Sequence, residues 1–308
     1  MRLTRRTLMA LAGAGVVTPC QAASGVSGRK PLVELPLRND GGYLSVIAVV
    51  DGVSVRFVID TGAEGGLITP ALARSLSLRR DPASSSFVQG SRGGRTVPNL
   101  IVPSLALGDV RFGPLSVPMG ALPGSPTLTP PVGGLLGADL LSRFDVEFDV
   151  PAGRLRLWAL GSRLPPPWAA YELPALREGD RLRIEVRLDG ARLMALLDSG
   201  ARSRVVSEAV ARQLGVSADD LARDPGGTTA GVDLHAVLYR WHTFRSLVVG
   251  GEHETAPVLT VSPLAPDTEM LLGSDWFAQR RVLIAYGESR LFVRRAGTVP
   301  HAGTTVSP

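Results

Sequence analysis

The stretch Val58-Ile59-Asp60-Thr61-Gly62-Ala63 returns later in the same chain as Leu196-Leu197-Asp198-Ser199-Gly200-Ala201. Each copy is two apolar residues, an aspartate, a small hydroxyl residue, a glycine and an alanine. Such a segment reads as a strand that leaves the core, presents a carboxylate at its end, and turns at once on a residue free to take positive φ. One copy is an ordinary strand exit. Two copies at equivalent places constrain the whole chain.

Working outward from the two aspartates, a shift of 138 residues brings further pairs into register without a gap. Glu34-Leu35-Pro36 falls on Glu172-Leu173-Pro174, Gly41 on Gly179, Asp51-Gly52 on Asp189-Gly190, and Ala73-Arg74 on Ala211-Arg212. After a small deletion the match resumes. Ser104-Leu105 meets Ser246-Leu247, and Leu135-Leu136-Gly137-Ala138-Asp139 meets Leu271-Leu272-Gly273-Ser274-Asp275. The chain is a tandem duplication, and internal repeats of this kind decide the architecture.

The spacing of apolar residues predicts the same programme in each copy. In the first, Leu32 to Leu37 is an edge strand, because Pro36 has no donor for a central ladder. Tyr43 to Val50 and Val53 to Ile59 form a hairpin turning at Asp51-Gly52. Thr69 caps a short helix with Pro70 in its first turn, Leu72, Leu76 and Leu78 on one face, and a basic end at Arg79-Arg80. A hairpin over Ser84 to Val97 has a glycine-rich tip at Gly90 to Gly94, which lacks the lysine a phosphate loop needs. Leu100 to Val117 is a strand region, and a proline-rich loop follows over 123–131. Gly134 to Leu141 breaks at Gly137 into a short helix, and Phe144 to Phe148 with Leu155 to Trp158 close the copy. In the second copy the hairpin turning at Asp189-Gly190 delivers Asp198, Ser207 caps a helix, and Gly226 to Gly231 stands where the first copy has its tip.

The N-terminus is different in kind. Arg5-Arg6, a short apolar run to Val17 and a small-residue region to Ala23 read as an export signal that resembles the twin-arginine type, the alternative being an ordinary secretory signal that carries paired arginines; the run is too short to span a bilayer. The expected organisation is a signal at 1–23, a first lobe at 24–160, a proline-stiffened linker at 161–169, a second lobe at 170–296 and a disordered tail at 297–308. The single cysteine, Cys20, lies within the signal, so the remaining chain has neither thiol nor disulfide, which fits a periplasmic or secreted protein. Lipid attachment at Cys20 is disfavoured by Pro19.

A formal net charge of +5 and a pI near 10.1 raise the question of nucleic acid. The arginines are scattered along alternating strands such as Arg181 to Arg187, where they read as a solvent face, and no basic stripe with aromatics is present. His235, His242, His253 and His301 lack metal-ligand spacing. There is no Gly-x-Ser-x-Gly elbow, and a glycosidase would not need its carboxylates in duplicated turns.

Both motifs, with the apolar-apolar-glycine segments ending at Gly137 and Gly273, resemble those of aspartic peptidases of the retropepsin and pepsin type, with both lobes in one polypeptide. Ala63, Ala201 and the Leu-Leu-Gly-x-Asp pattern are closer to retropepsins. The resemblance spans about Leu32 to Val293 and implies a mainly β, bilobal acid-protease fold: two homologous β-barrel-like lobes, each with one or two short helices. It implies an aspartic endopeptidase with Asp60 and Asp198 as the catalytic pair. Thr61 and Ser199 would lock their hydroxyls into the opposite loop, and Gly62 and Gly200 would turn tightly and donate to the carboxylates. Asp139 and Asp275 match a structural position. The expected partner is a peptide or protein substrate, with no cofactor, no metal, no nucleic acid and no stable membrane span, and a monomer suffices because both lobes share one chain. A complete flap motif is missing. Pepsin-type sites commonly place a serine or threonine where this chain has Ala63 and Ala201, which implies higher carboxyl pKa values and an optimum at roughly pH 4.5 to 6.5. The competing function is a periplasmic peptide- or protein-binding module that keeps the fold without catalysis.

Overall fold

The computed structural model describes residues 30–89, 93–122, 128, 130–161, 165–230 and 236–297. The expected export signal at 1–23 with Cys20, residues 90–92 of the expected glycine-rich tip, Gly231 to His235, most of the expected proline-rich loop, residues 162–164 of the expected linker, His301 and the residues beyond 297 lie outside the described residues.

The hairpin that delivers each aspartate forms where alternation and turn chemistry agree. Tyr43–Val50 pairs antiparallel with Val53–Ile59, burying Leu44, Val46, Ala48 and Val50 on one face. Asp51 and Gly52 both adopt positive φ, 47° and 81°, as a tight hairpin turn requires. In the second lobe Arg181–Leu188 pairs with Ala191–Leu197, and Asp189 and Gly190 repeat the geometry at 52° and 87°.

The lobes are joined by a shared sheet. Its order is Val33–Pro36, Arg154–Trp158 and Asp145–Asp149 from the first lobe, then Arg280–Ala285, Arg290–Arg295 and Tyr171–Glu178 from the second. Val33–Pro36 is the edge strand at one end, as Pro36 demands. At the centre Val146 pairs with Ile284, Glu147 with Leu283 and Phe148 with Val282. Residues related by the repeat therefore exchange partners across the Glu147–Leu283 pair, and a pseudo-twofold axis passes through it. The fully buried Glu147 binds Arg156 of its own lobe at 2.6 Å and Arg281 of the other at 2.7 Å, and accepts from the Trp158 indole at 3.1 Å. A buried carboxylate satisfied from both lobes ties the halves together, since separating them would leave it without its Arg281 partner.

In the other direction Tyr171–Glu178 bends away from the joint. Tyr171 to Pro174 pair with Arg290–Arg295, and Ala175 to Glu178 pair with Arg181–Leu188. Pro174 is accommodated because only one side of the strand is paired there.

Thr69 caps the helix Pro70–Ser75 through a bond from the Leu72 amide, and Ser207 does the same for Glu208–Gln213. The first helix ends earlier than its apolar spacing predicts. Ser77 takes a positive φ of 50°, and Arg79 and Arg80 open the strand Arg79–Gln89 instead of closing the helix. That strand pairs with Gly94–Val102 to form the first lobe's long hairpin, and the predicted strand region beyond it divides into Leu105–Leu107, Val110–Phe112 and Leu115–Pro118. In the second lobe Gly226–Ala230 is itself a strand, paired with Ala236–Thr243, and not the hairpin's tip. The glycines are there for closeness: a Cβ on Gly226 would lie 2.1 Å from the Tyr239 carbonyl oxygen and one on Gly227 2.8 Å from the Tyr239 hydroxyl. The second lobe also has a helix, Ala218–Arg223, whose capping box joins Ser217 and Asp220. Among the described residues no helix is long and apolar enough to cross a membrane.

Candidate active site

Asp60 and Asp198 sit at the ends of Val53–Ile59 and Ala191–Leu197, each beside a parallel partner from its own lobe, Val132–Leu136 or Met270–Leu272. The Asp60 amide donates to the Leu136 carbonyl at 3.0 Å, and the Asp198 amide to that of Leu272, also at 3.0 Å. The next residues are held just as symmetrically, Ala138 donating to the Ala63 carbonyl at 2.9 Å and Ser274 to that of Ala201 at 2.8 Å. Gly137 and Gly273 are obligatory in this packing. A Cβ on the first would lie 2.4 Å from the Gly65 carbonyl carbon, and one on the second 2.1 Å from the Ser203 carbonyl oxygen.

The hydroxyl residues fasten the two loops across the axis. Thr61 Oγ1 donates to the Leu197 carbonyl at 2.8 Å and accepts from the Ser199 amide at 3.1 Å. Ser199 Oγ donates to the Ile59 carbonyl at 2.7 Å and accepts from the Thr61 amide at 3.1 Å. Both residues are buried, so each hydroxyl satisfies groups that water does not reach.

Each carboxylate is oriented by its own turn. Asp60 Oδ1 accepts from Gly62 and Ala63 at 3.0 and 2.9 Å, and Asp198 Oδ1 from Gly200 and Ala201 at 3.1 and 2.9 Å. Gly62 and Gly200 do not take positive φ, contrary to the reading of them as left-handed turn residues. What excludes a side chain is the opposite aspartate: a Cβ on Gly200 would lie 2.3 Å from Asp60 Cγ, and one on Gly62 2.5 Å from Asp198 Cγ. The two carboxyl groups thereby face each other across the axis, each packed against the glycine of the opposite loop. Burial, then the Asp198 charge, push Asp60 up to about 8. Burial also raises Asp198, against the amides of Ala201 and Gly200 and the hydrogen bond from Asp60, all of which favour its ionised form. The pair therefore retains one proton well above the usual carboxylate range, and it titrates as a unit.

The pair opens into a cleft of about 570 Å³. Its walls include Tyr43, Val58 and Leu135 of the first lobe and Tyr239, Trp241 and Leu271 of the second. Tyr239 and Trp241 stand on the long hairpin of the second lobe, ring centroids 5.4 Å apart. Sequence reasoning did not single them out, since alternation along Ala236–Thr243 marks a strand without saying what it covers. Asp139 and Asp275 lie off the pair. Asp139 accepts from the Gly66 amide at 3.1 Å, and Asp275 binds Arg204 at 3.0 Å, both bracing the motif loops. His242 pairs with Asp224 at 2.7 Å.

A bilobal β architecture with two symmetry-related Asp-Thr/Ser-Gly loops meeting at a cleft defines the aspartic peptidase class. A family model described as aspartyl protease matches the chain twice, over residues 46–140 and 184–276, and the chain belongs to that family. The protein is similar in structure to an aspartic proteinase from Irpex lacteus, with a TM-score of 0.51 and 12% identity over 86% of this chain and 97% of that one. No curated protein sequence matches it.

Proposed function

We propose that the protein is an aspartic endopeptidase in which Asp60 and Asp198 activate a water molecule for attack on a peptide bond. The observation that carries the reading is the pair itself: two carboxyl groups facing each other across the axis and lining one cleft, where burial favours keeping one proton between them. Hydrolysis without a covalent intermediate needs one base and one acid, and a singly protonated pair is both. The ionised member takes a proton from water as the oxygen attacks the carbonyl carbon. The protonated member donates to the carbonyl oxygen, giving a tetrahedral diol. Proton transfer to the nitrogen and collapse of the diol then break the C–N bond, releasing a carboxylic acid and an amine and returning the pair to its starting state. The cross-axis bonds of Thr61 and Ser199 fix the geometry that such transfers require.

The reading extends to an exported enzyme, directed by Arg5-Arg6 and the apolar run of residues 1–23 to the periplasm or beyond, and acting as a monomer on peptide or protein substrates. The test is turnover of a denatured protein and a peptide library by the purified wild type and by Asp60→Asn and Asp198→Asn, with thermal melting to show that each is folded. Loss of hydrolysis in both folded variants is expected. Near wild-type turnover in either would end the paired-aspartate mechanism, and a wild type that binds peptides without cleaving them would replace catalysis by binding.

A further inference from the structure

The two motif loops depart from symmetry at the residue after the alanine. The first lobe has Glu64 there and the second has Arg202. Glu64 is held in an ion pair with Arg181 at 3.1 Å. Arg202 is an exposed cation that lines the cleft together with Asp198, and among the described residues no carboxylate forms an ion pair with it. Its place is nevertheless defined. The aliphatic stem runs along Gly42, where a Cβ would meet Arg202 Cβ at 3.2 Å and Cγ at 3.3 Å. Beyond the stem, the guanidinium carbon lies 5.7 Å from the centre of the Tyr43 ring. Ser274 Oγ lies 3.1 Å from the Arg202 carbonyl and 2.5 Å from that of Gly42, anchoring both loops from beneath.

A guanidinium held over an aromatic face at this distance keeps its N–H donors free, and with its stem packed along Gly42 it loses less freedom on binding than a mobile side chain would. Planar donors of this kind match a carboxylate. We propose that Arg202 is a specificity-determining residue, binding a carboxylate of the substrate close to the scissile bond. This rests on the peptidase reading and adds a substrate class to it: peptides with an acidic group on the second-lobe side of the cleft. The carboxylate is supplied by an aspartate or glutamate side chain or by a free C-terminus, and the test separates the two.

Short N-acetylated, C-amidated peptides are compared in pairs that differ only by Glu against Gln at one position, alongside a set ending in a free carboxylate. Hydrolysis is followed as kcat/KM on the full chain. Equilibrium binding is followed by fluorescence anisotropy on the full-chain Asp60→Asn variant. In both readouts Glu should be preferred to Gln about five- to tenfold at one position, as for one charge-assisted hydrogen-bonding pair at a solvent-accessible site. Arg202→Gln should erase the preference, Arg202→Lys should keep part of it, and Arg202→Glu should turn it towards Lys. If the free-carboxylate set is favoured and internal Glu is not, the carboxylate is terminal; the reverse result assigns it to a side chain. A Glu/Gln ratio near one at every position, or a ratio that Arg202→Gln leaves intact, overturns the proposal while hydrolysis itself upholds the peptidase. An Arg202-dependent preference in binding without any hydrolysis upholds the proposal and rejects the peptidase, and no peptide bound or cleaved overturns both.

Discussion

Replacing one member of the aspartate pair should stabilise the protein, and more so as the pH rises. Burial and the neighbouring Asp198 push Asp60 up to about 8, whereas an aspartate in an unfolded chain titrates at about 3.9. Between those values the folded protein holds a proton that the unfolded chain has released. Stability therefore falls by up to about 1.4 kcal/mol per pH unit across this window. The contribution is fully present below the unfolded value and is lost as pH passes through the folded one. Asp60→Asn removes the proton site, and its amide donates to Asp198 much as the shared proton did. The variant's stability gain over the wild type should thus widen by about 3 kcal/mol from about pH 5 to about pH 7. At about 2 °C per kcal/mol for a chain of this size, the melting temperatures should separate by about a further 5 °C. Scanning calorimetry of both proteins in matched buffers reads the difference directly, because slopes from groups outside the pair cancel and the amide's donation to Asp198 keeps that carboxylate ionised. A gap that stays constant or narrows over that interval would refute the retained proton and, with it, the physical basis for an acid and a base in one pair.

Gly200→Ala places a methyl group 2.3 Å from Asp60 Cγ; peptide hydrolysis should fall at least about 100-fold through misalignment, and urea unfolding should register a loss of about 1–3 kcal/mol. Ser199→Ala strips a buried donor from the Ile59 carbonyl and a buried acceptor from the Thr61 amide. It should destabilise by about 1–3 kcal/mol and lower kcat more than it raises KM, as steady-state kinetics would show. The wild-type pH profile should peak at roughly pH 4.5 to 6.5, with a basic limb set by the retained proton, and Ala63→Ser with Ala201→Ser should move the acidic limb downward by supplying hydroxyl donors to the ionised carboxylate. An unmoved limb in that double variant would remove hydroxyl donation as the cause.

What could be read from the chain and what could not divide along a physical line. Asp60, Thr61, Gly62 and their repeats were legible because each position answers to a need local to its loop or imposed by the axis, and the duplication states the axis in the sequence itself. The helix Pro70–Ser75 was legible through its cap, but its end was not. Leu76 and Leu78 continue the apolar spacing while packing from the turn after the helix, and Ser77 supplies a positive φ that no propensity marks. Ala218–Arg223 was missed for the opposite reason: it buries no residue, so it leaves no periodicity, and only the Ser217–Asp220 box announces it. Gly226 and Gly227 were misread because glycine serves both tips and close approach, and only the position of Tyr239 decides between them. Arg202 lies beyond local reading for a related reason. Its neighbours in sequence are the second motif, but Tyr43, which holds its guanidinium, comes from the other lobe. A repeat therefore reveals what the two halves share. The asymmetry that would let one such pair of lobes tell substrates apart appears only when the halves are set face to face.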